Sequence, residues 1–398
     1  MKVRLILIFK LVVLVTLVQN KLILKQAVIL NRHSLRAPLS SNLKDLSPKV
    51  WPSWHVNPGY LTAKGAQLAG FMGSYFAAWL KNEGILPDSC PSEDELHVFS
   101  NTKERTLTSA QLFIEKGFPD CNINIRHPGI DVSNPLFNPV VHNTSVSFKE
   151  HAITEIHDVL DSLHLNEAYE LLNQILDYKQ SRSCELEKKC NLVKGKNYVS
   201  IVPGLKPQLS GPLKISNEVV DAFLMQFYEG FPTEDVAWGQ LSNSNSWQTI
   251  IELSQAYFNA TYKTTLIARD LSGPLAKCMS EIFLKDDNKP KVAIFFGHDV
   301  NIHTVFKTLL VRPYSLENQV EIIPIGSAVV FQKWRDDECS KDYFKLSYVY
   351  QSTGQLRDSD ILSLESPPKI KTLELEKCII DVNGFCPWEN FENILGSL

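Results

Sequence analysis

Three short apolar runs, each passing directly into polar residues, constrain the fold of this chain most. Ala27-Val28-Ile29-Leu30, closing the stretch from Leu22, leads into Asn31-Arg32-His33. Leu96-His97-Val98-Phe99 leads into Ser100-Asn101, and Val292-Ala293-Ile294-Phe295-Phe296 leads into Gly297-His298-Asp299. Short runs of β-prone residues bounded by polar turns read as buried strands. Helical patterns lie between them. After Thr62, the residues Leu68, Met72, Tyr75, Phe76 and Trp79 fall at helical spacing toward Asn82 and Gly84, an aromatic stripe that reads as core packing. Beyond Asn101 a second helix carries Arg105, Leu107, Ala110, Leu112 and Ile114. Strands alternating with helices imply an α/β fold, a central and mostly parallel sheet flanked by helices. Ligands of such sheets gather beyond the carboxyl ends of the strands. The strand ends thus point Arg32, His33, Arg36, Arg105, His298 and Asp299 toward one crevice.

The middle of the chain differs in character. Ile153, Ile156, Leu160, Leu163, Leu171-Leu172 and Ile175-Leu176 keep helical spacing, and the pattern returns around Ser216 to Phe227. We expect a mostly α-helical second domain at 141–259, inserted into an α/β domain formed by 21–140 and 260–398. Residues 1–20 read as a signal peptide: Lys2 and Arg4 precede an apolar stretch from Leu5 to Leu17 that is short for a membrane span, and Asn20 and Lys21 close it. An uncleaved anchor or a buried first strand is the alternative. After signal removal no stable membrane insertion is expected.

The eight cysteines form an even set, which fits an oxidising compartment, secreted or periplasmic. Proximity in sequence offers Cys184 with Cys190 and Cys378 with Cys386. No CxxC or paired-histidine spacing supports zinc, so no metal is expected. A formal net charge of -4 gives no footing for a nucleic-acid partner, and small molecules are the better candidates.

The strongest chemical signal is Arg32-His33-x-x-Arg36-x-Pro38. By residue frequencies such a pattern arises in a chain this long with probability on the order of 10⁻³. Pro38 disfavours helix at Ala37, so the segment is a loop. Guanidinium forks bind tetrahedral oxyanions through several charge-assisted hydrogen bonds. A histidine between two arginines is disfavoured as imidazolium, which keeps its ring nitrogen nucleophilic in acid. A solvated basic turn is the bland alternative. Gly297-His298-Asp299 adds a donor for a phosphate oxygen and a carboxyl group that can protonate a leaving alcohol. The other histidines, His55, His97, His127, His142, His151, His157, His164 and His303, show no motif spacing and read as surface or satisfied interior groups. Asn143-Thr144-Ser145 and Asn259-Ala260-Thr261 fit the glycosylation pattern, which matters only in a eukaryotic host.

Arg32-His33-Ser34-Leu35-Arg36-Ala37-Pro38 with the later His298-Asp299 resembles the histidine acid phosphatase family. Leu61-Thr62-Ala63-Lys64-Gly65, Asn134-Pro135-Leu136-Phe137-Asn138-Pro139-Val140, Ser210-Gly211-Pro212-Leu213-Lys214, Tyr228-Glu229-Gly230-Phe231-Pro232, Val236-Ala237-Trp238-Gly239 and Pro324-Ile325-Gly326 are similar too. The likeness spans nearly the whole mature chain and is nearest the periplasmic glucose-1-phosphatase branch, related to bacterial phytases. The resemblance implies an acid phosphatase acting on phosphomonoesters such as glucose 1-phosphate through a phosphohistidine, without a cofactor. It implies His33 as nucleophile and Asp299 as proton donor, with Arg32, Arg36, Arg105 and His298 on the phosphoryl group. Arg105 takes its role only from Glu104-Arg105-Thr106, which is similar to the family's helix start. The resemblance also implies disulfides Cys90–Cys121, Cys184–Cys190 and Cys378–Cys386, leaving Cys278 and Cys339, a pair that can join each other.

Two positions depart from the pattern. Ser34 stands where many members have glycine, a change the glucose-1-phosphatase branch tolerates. Lys206 precedes Ser210-Gly211 where that branch has an acidic pocket residue; it is a candidate for relaxed discrimination against polyanions, or simply a solvated loop lysine. Three other readings stay open. They are a phytase-like inositol polyphosphate phosphatase, a phosphoglycerate-mutase-like phosphotransferase, and a non-catalytic binder of phosphorylated ligands. Export and disulfides argue against the phosphotransferase, and a proton donor at Asp299 argues against the binder.

Overall fold

The computed structural model describes residues 22–398 except 189, 242, 285, 286, 288 and 289. The signal peptide read at 1–20 lies outside the described residues.

The strands in chain order are β1 (Leu22–Arg32), β2 (Leu96–Ser100), β3 (Ile125–Arg126), β4 (Tyr198–Ser200), β5 (Gln208–Ser210), β6 (Val292–Gly297), β7 (Ala328–Asp336), β8 (Lys341–Tyr350), β9 (Lys369–Leu373) and β10 (Cys386–Pro387). The main sheet runs β10-β8-β7-β1-β6-β2-β3, with β9 also paired to β8, while β4 and β5 form a separate ribbon. The block β1, β6, β2, β3 is parallel. Its carboxyl ends carry the motif residues. The strands β7 to β10 extend that block in antiparallel fashion.

The helices are α1 (Ala63–Asn82), α2 (Glu104–Gly117), α3 (Val146–Ser162), α4 (Asn166–Leu176), α5 (Arg182–Glu187), α6 (Pro212–Glu229), α7 (Ser244–Tyr262), α8 (Thr265–Phe283), α9 (Asp299–Thr308), α10 (Thr353–Asp358) and α11 (Trp388–Leu395). Side chains alternate across a strand, and β1, buried from Gln26 onward, uses both faces. Ala27 and Ile29 pack with Met72, Tyr75 and Phe76 of α1 and Phe113 of α2. Val28 and Leu30 pack with Leu275 and Met279 of α8, Ile302 and Val305 of α9, and Phe391 of α11. The α/β layering expected from the sequence is therefore present. Helices α1 and α2 meet backbone to backbone: a Cβ on Gly73 would stand 2.1 Å from the Phe113 carbonyl oxygen.

Helices α3 to α7 fall between β3 and β6 in the chain. One apolar cluster there joins Leu172 and Ile175 of α4, Val220 and Phe223 of α6, and Ile250 and Leu253 of α7. The same cluster takes in Leu35, from the loop after β1, and Leu68 of α1. That shared packing seats the helices against the loop carrying the first motif.

Candidate active site

Parallel register brings the three strand ends level. Arg32 pairs with Gly297 across β1 and β6, and the His33 N–H donates to the Gly297 carbonyl at 3.0 Å. The Asn101 N–H, just past β2, donates to the Phe296 carbonyl at 2.9 Å. His298 is the residue before α9; its N–H donates to Asn301 Oδ1 at 2.9 Å, and Asp299 opens the helix. The loop after β1 is held from several sides. Gly326 N–H donates to the His33 carbonyl at 3.0 Å, and Thr62 N–H to the Leu35 carbonyl at 3.1 Å. The Ser34 N–H donates to Ser109 Oγ at 3.0 Å, and that hydroxyl donates to the Arg105 carbonyl at 2.6 Å. Thr62 also caps α1 by accepting the Gly65 N–H. Gly65 is required at this contact, since a Cβ there would stand 2.0 Å from the Leu35 carbonyl oxygen.

His33 is buried, and its Nδ1 lies 2.9 Å from the Ser34 carbonyl. A carbonyl only accepts, so Nδ1 carries the proton and Nε2 keeps its lone pair. Burial, then Arg105, Arg36, His298 and Arg32, hold the ring's proton affinity well below the ordinary histidine value. The ring stays neutral in acid, as the flanking arginines led us to expect. The His298 ring meets it edge-on, with centroids 5.5 Å apart, and His298 Nε2 lies 3.1 Å from Asn101 Oδ1. Burial and Arg105 depress the proton affinity of His298 likewise.

Around these rings stand three guanidinium groups. Arg32 Nη2 pairs with Asp299 Oδ2 at 3.0 Å, while Nη1 donates to Glu321 Oε1 at 3.0 Å and to the Ile323 carbonyl. Arg36 forms a two-pronged pair with Asp221, at 2.8 and 3.0 Å. Arg105 Nη1 donates to the Gly59 carbonyl at 3.5 Å. The Nε atoms of Arg32, Arg36 and Arg105 are buried with no hydrogen-bond partner among the described residues. Buried donors seldom stay unpaired, and an oxyanion would satisfy them. The three arginines line one cleft of about 400 Å³ together with His298, Asp299 and Lys206. Burial alone would raise the Asp299 carboxyl, but Arg32, with His303, His298 and Arg36, brings it down to about 2.

The structure thus brings Arg32, His33, Arg36, Arg105, His298 and Asp299 together. Lys206 joins them at the exposed rim, where partial enclosure, then Arg105 and Lys103, lower its proton affinity. Two carboxylates escaped the sequence reading. Asp221 sits in Val219-Val220-Asp221-Ala222-Phe223, and Glu321 in Val320-Glu321-Ile322-Ile323. A lone acid within an apolar run was the available signal, because such a group is buried only with a partner. His303, which showed no motif spacing, borders the cleft behind Asp299 and stacks on Phe258 with centroids 4.6 Å apart.

The disulfides are Cys90–Cys121, Cys184–Cys190 and Cys378–Cys386, as the resemblance implied. Cys278 and Cys339 do not join each other, which removes that pairing. Cys278 packs beside the core of α8, whereas Cys339 is exposed on the turn between β7 and β8. Among the described residues no helix is long and apolar enough to cross a membrane.

Known proteins match this chain over most of its length. The description "Histidine phosphatase superfamily (branch 2)" matches residues 23–349. A glucose-1-phosphatase of Salmonella typhimurium is 39% identical over 380 residues, covering 94% of this chain and 92% of that protein. One from Providencia rettgeri is 39% identical over 384 residues, covering 95% and 92%. Among solved structures, the phytase from Citrobacter braakii superposes with a TM-score of 0.83 at 27% identity, covering 94% of this chain and 98% of that one.

Proposed function

The chain belongs to the histidine phosphatase superfamily, branch 2, and within it we propose an acid phosphatase for sugar phosphates such as glucose 1-phosphate, working through a phosphohistidine on His33. It is a phosphomonoester hydrolase. One observation carries the residue assignment: a buried neutral imidazole faces three arginines whose Nε donors have no hydrogen-bond partner among the described residues.

In the first step His33 Nε2 attacks phosphorus in line, while Arg32, Arg36, Arg105 and His298 hold the equatorial oxygens. The bond to the leaving oxygen breaks, and Asp299 gives that oxygen a proton. In the second step water attacks the phosphohistidine, with ionised Asp299 as base, and phosphate departs. The guanidinium groups supply the charge stabilisation a metal ion gives elsewhere.

Sugar as the leaving group fits the rim. Asn217, Ser254, Gln255 and Tyr257 line the cleft beyond the arginines and offer donors and acceptors for hydroxyl groups. The 39% identical relatives are glucose-1-phosphatases, which supports the same choice. Lys206 at the rim favours a second reading, action on inositol polyphosphates. The disulfides support residence in the periplasm or outside the cell.

A panel of glucose 1-phosphate, aryl phosphates and phytate at acid pH, with and without EDTA, tests this reading. We expect full turnover in EDTA and the highest kcat/KM on the sugar phosphate. Metal-dependent activity would overturn the mechanism, and preference for phytate would overturn the substrate.

A further inference from the structure

Glu321 is a carboxylate at the cleft floor to which the proposed reaction gives no task. Its Oε1 accepts from Arg32 Nη1 at 3.0 Å, and its side chain is only 13% exposed. Oε2 is buried without a hydrogen-bond partner among the described residues. Charged and titratable groups face it from four elements: Arg32 at the end of β1, Asp221 and Tyr228 on α6, Tyr348 on β8, and Asp299 at the start of α9, reached through Arg32. Its own loop is fixed by Gln319, whose Oε1 accepts the Glu321 N–H at 3.2 Å and the Tyr228 hydroxyl at 2.9 Å.

The charges at this floor balance. Arg32, Arg36 and Arg105 bring three positive charges, and Asp299, Glu321 and Asp221 bring three negative ones. With His33 and His298 neutral, these six groups offer a doubly charged phosphoryl group no net positive charge of their own; the cleft's excess of positive charge comes from Lys103, Lys206, Lys214 and Lys263, which line it with Glu218. Two charges in a largely buried site interact strongly. Binding is therefore favoured if a carboxylate gives up its charge at the same moment. Asp299 has to hold a proton before it can give one to the leaving oxygen, so its charge is already committed to the reaction. Asp221 is fastened by both oxygens to Arg36, whereas Glu321 meets Arg32 through one oxygen only, which leaves it the group best placed to take another.

We propose that Glu321 sets the pH range over which the cleft accepts a phosphoryl dianion, by taking up a proton when the anion binds and releasing the charge of Arg32 to it. The inference rests on the cleft being the phosphoryl site. Glu321 is a positioning residue, acting through Arg32. Burial, with Asp221 nearby, already favours its neutral form, against the pull of Arg32 and the Tyr228 hydroxyl. A bound anion pushes in the same direction, so proton uptake follows and affinity falls as pH rises.

The test uses inorganic phosphate as the probe. Calorimetric titration of the whole protein in buffers of different ionisation enthalpy counts the protons taken up. Wild type, Glu321→Gln and Glu321→Asp are compared from about pH 4 to about pH 7. We expect Glu321→Gln to bind phosphate with about half a proton fewer at the pH where wild-type uptake is greatest, as one pKa unit of coupling implies. It should match wild type near pH 4 and bind about tenfold tighter near pH 7, the factor for one pKa unit of coupling. Glu321→Asp, which keeps the carboxyl group, should restore the proton uptake. The ratio of variant to wild type removes phosphate's own titration, common to both. Unchanged proton uptake with parallel pH profiles would overturn the proposal. So would loss of binding at every pH in a Glu321→Gln protein with wild-type circular dichroism. Failure of the wild type to bind phosphate would overturn the site reading itself, a distinct result.

Discussion

Arg32 Nη2, at the end of β1, and Asp299 Oδ2, at the start of α9 just beyond the parallel β6, lie 3.0 Å apart, and this pair joins the two halves of the proposed mechanism, phosphoryl binding and proton transfer. Arg32, with His303, His298 and Arg36, holds the Asp299 carboxyl at about 2 against its burial. The residue is therefore ionised in the free cleft even in moderate acid. The proton it gives to a leaving alcohol has to arrive with the substrate, and a phosphomonoester monoanion carries one.

The leaving group should reveal that role. Asp299→Asn keeps the shape of the side chain but cannot pass a proton. It is expected to slow glucose 1-phosphate turnover by about 10²–10⁴-fold, the range for a general acid. An aryl phosphate with an acidic phenol needs little protonation and should lose far less. Steady-state kcat on both substrates checks this, and equal losses would remove Asp299 as the acid.

Lys206 stands exposed at the rim, near Arg105 and Asp299. Lys206→Glu puts a negative charge where a polyanion would lie. Turnover of phytate relative to glucose 1-phosphate should fall several-fold, with the sugar phosphate little changed. An unchanged ratio of kcat/KM values would take Lys206 out of specificity.

Acid stability follows from buried neutral histidines. Burial, then Lys263, lowers His303 from 6.5 to about 3. Between those values the unfolded chain binds a proton that the fold does not. Stability from this residue is present above about pH 6.5 and is lost as pH falls toward 3, by up to about 1.4 kcal/mol per pH unit. Asp299, lowered from 3.8 to about 2, has the usual carboxylate behaviour, and its contribution is lost only below about 3.8. His303→Gln should flatten the decline in urea midpoint from about pH 6.5 to about pH 4. A slope equal to wild type would contradict the assignment.

The Cys90–Cys121 bridge closes a loop spanning a sequence separation of 31 and ties the region beyond α1 to the end of α2. Replacing both cysteines by serine should cost about 2–4 kcal/mol. Cys339→Ser, on an exposed turn, should stay within about 0.5 kcal/mol. Denaturant midpoints of the two variants separate these outcomes.

Much of this site was legible in the sequence because its residues follow their strands directly. Arg32, His33, His298 and Asp299 come within three residues of strand-forming runs, so local pattern fixed both their conformation and their shared edge. Arg105 was legible only by resemblance, since a helix-start arginine looks the same whether it faces solvent or a cleft. Asp221 and Glu321 were missed for another reason. Each reaches its arginine across a separation of 185 or 289 residues, and no local pattern encodes that meeting. The antiparallel half of the sheet was likewise not foreseen, because pairing direction depends on connections made by loops and helices between distant segments.

The most direct measurement is rapid alkaline quenching during turnover of phosphate-labelled glucose 1-phosphate, followed by peptide mapping at alkaline pH. Label on His33, stable to base and labile to acid, is the predicted result, with none in His33→Ala and turnover there reduced by about 10³-fold or more. Label on another residue, or a His33→Ala protein that turns over at the wild-type rate, would contradict the account.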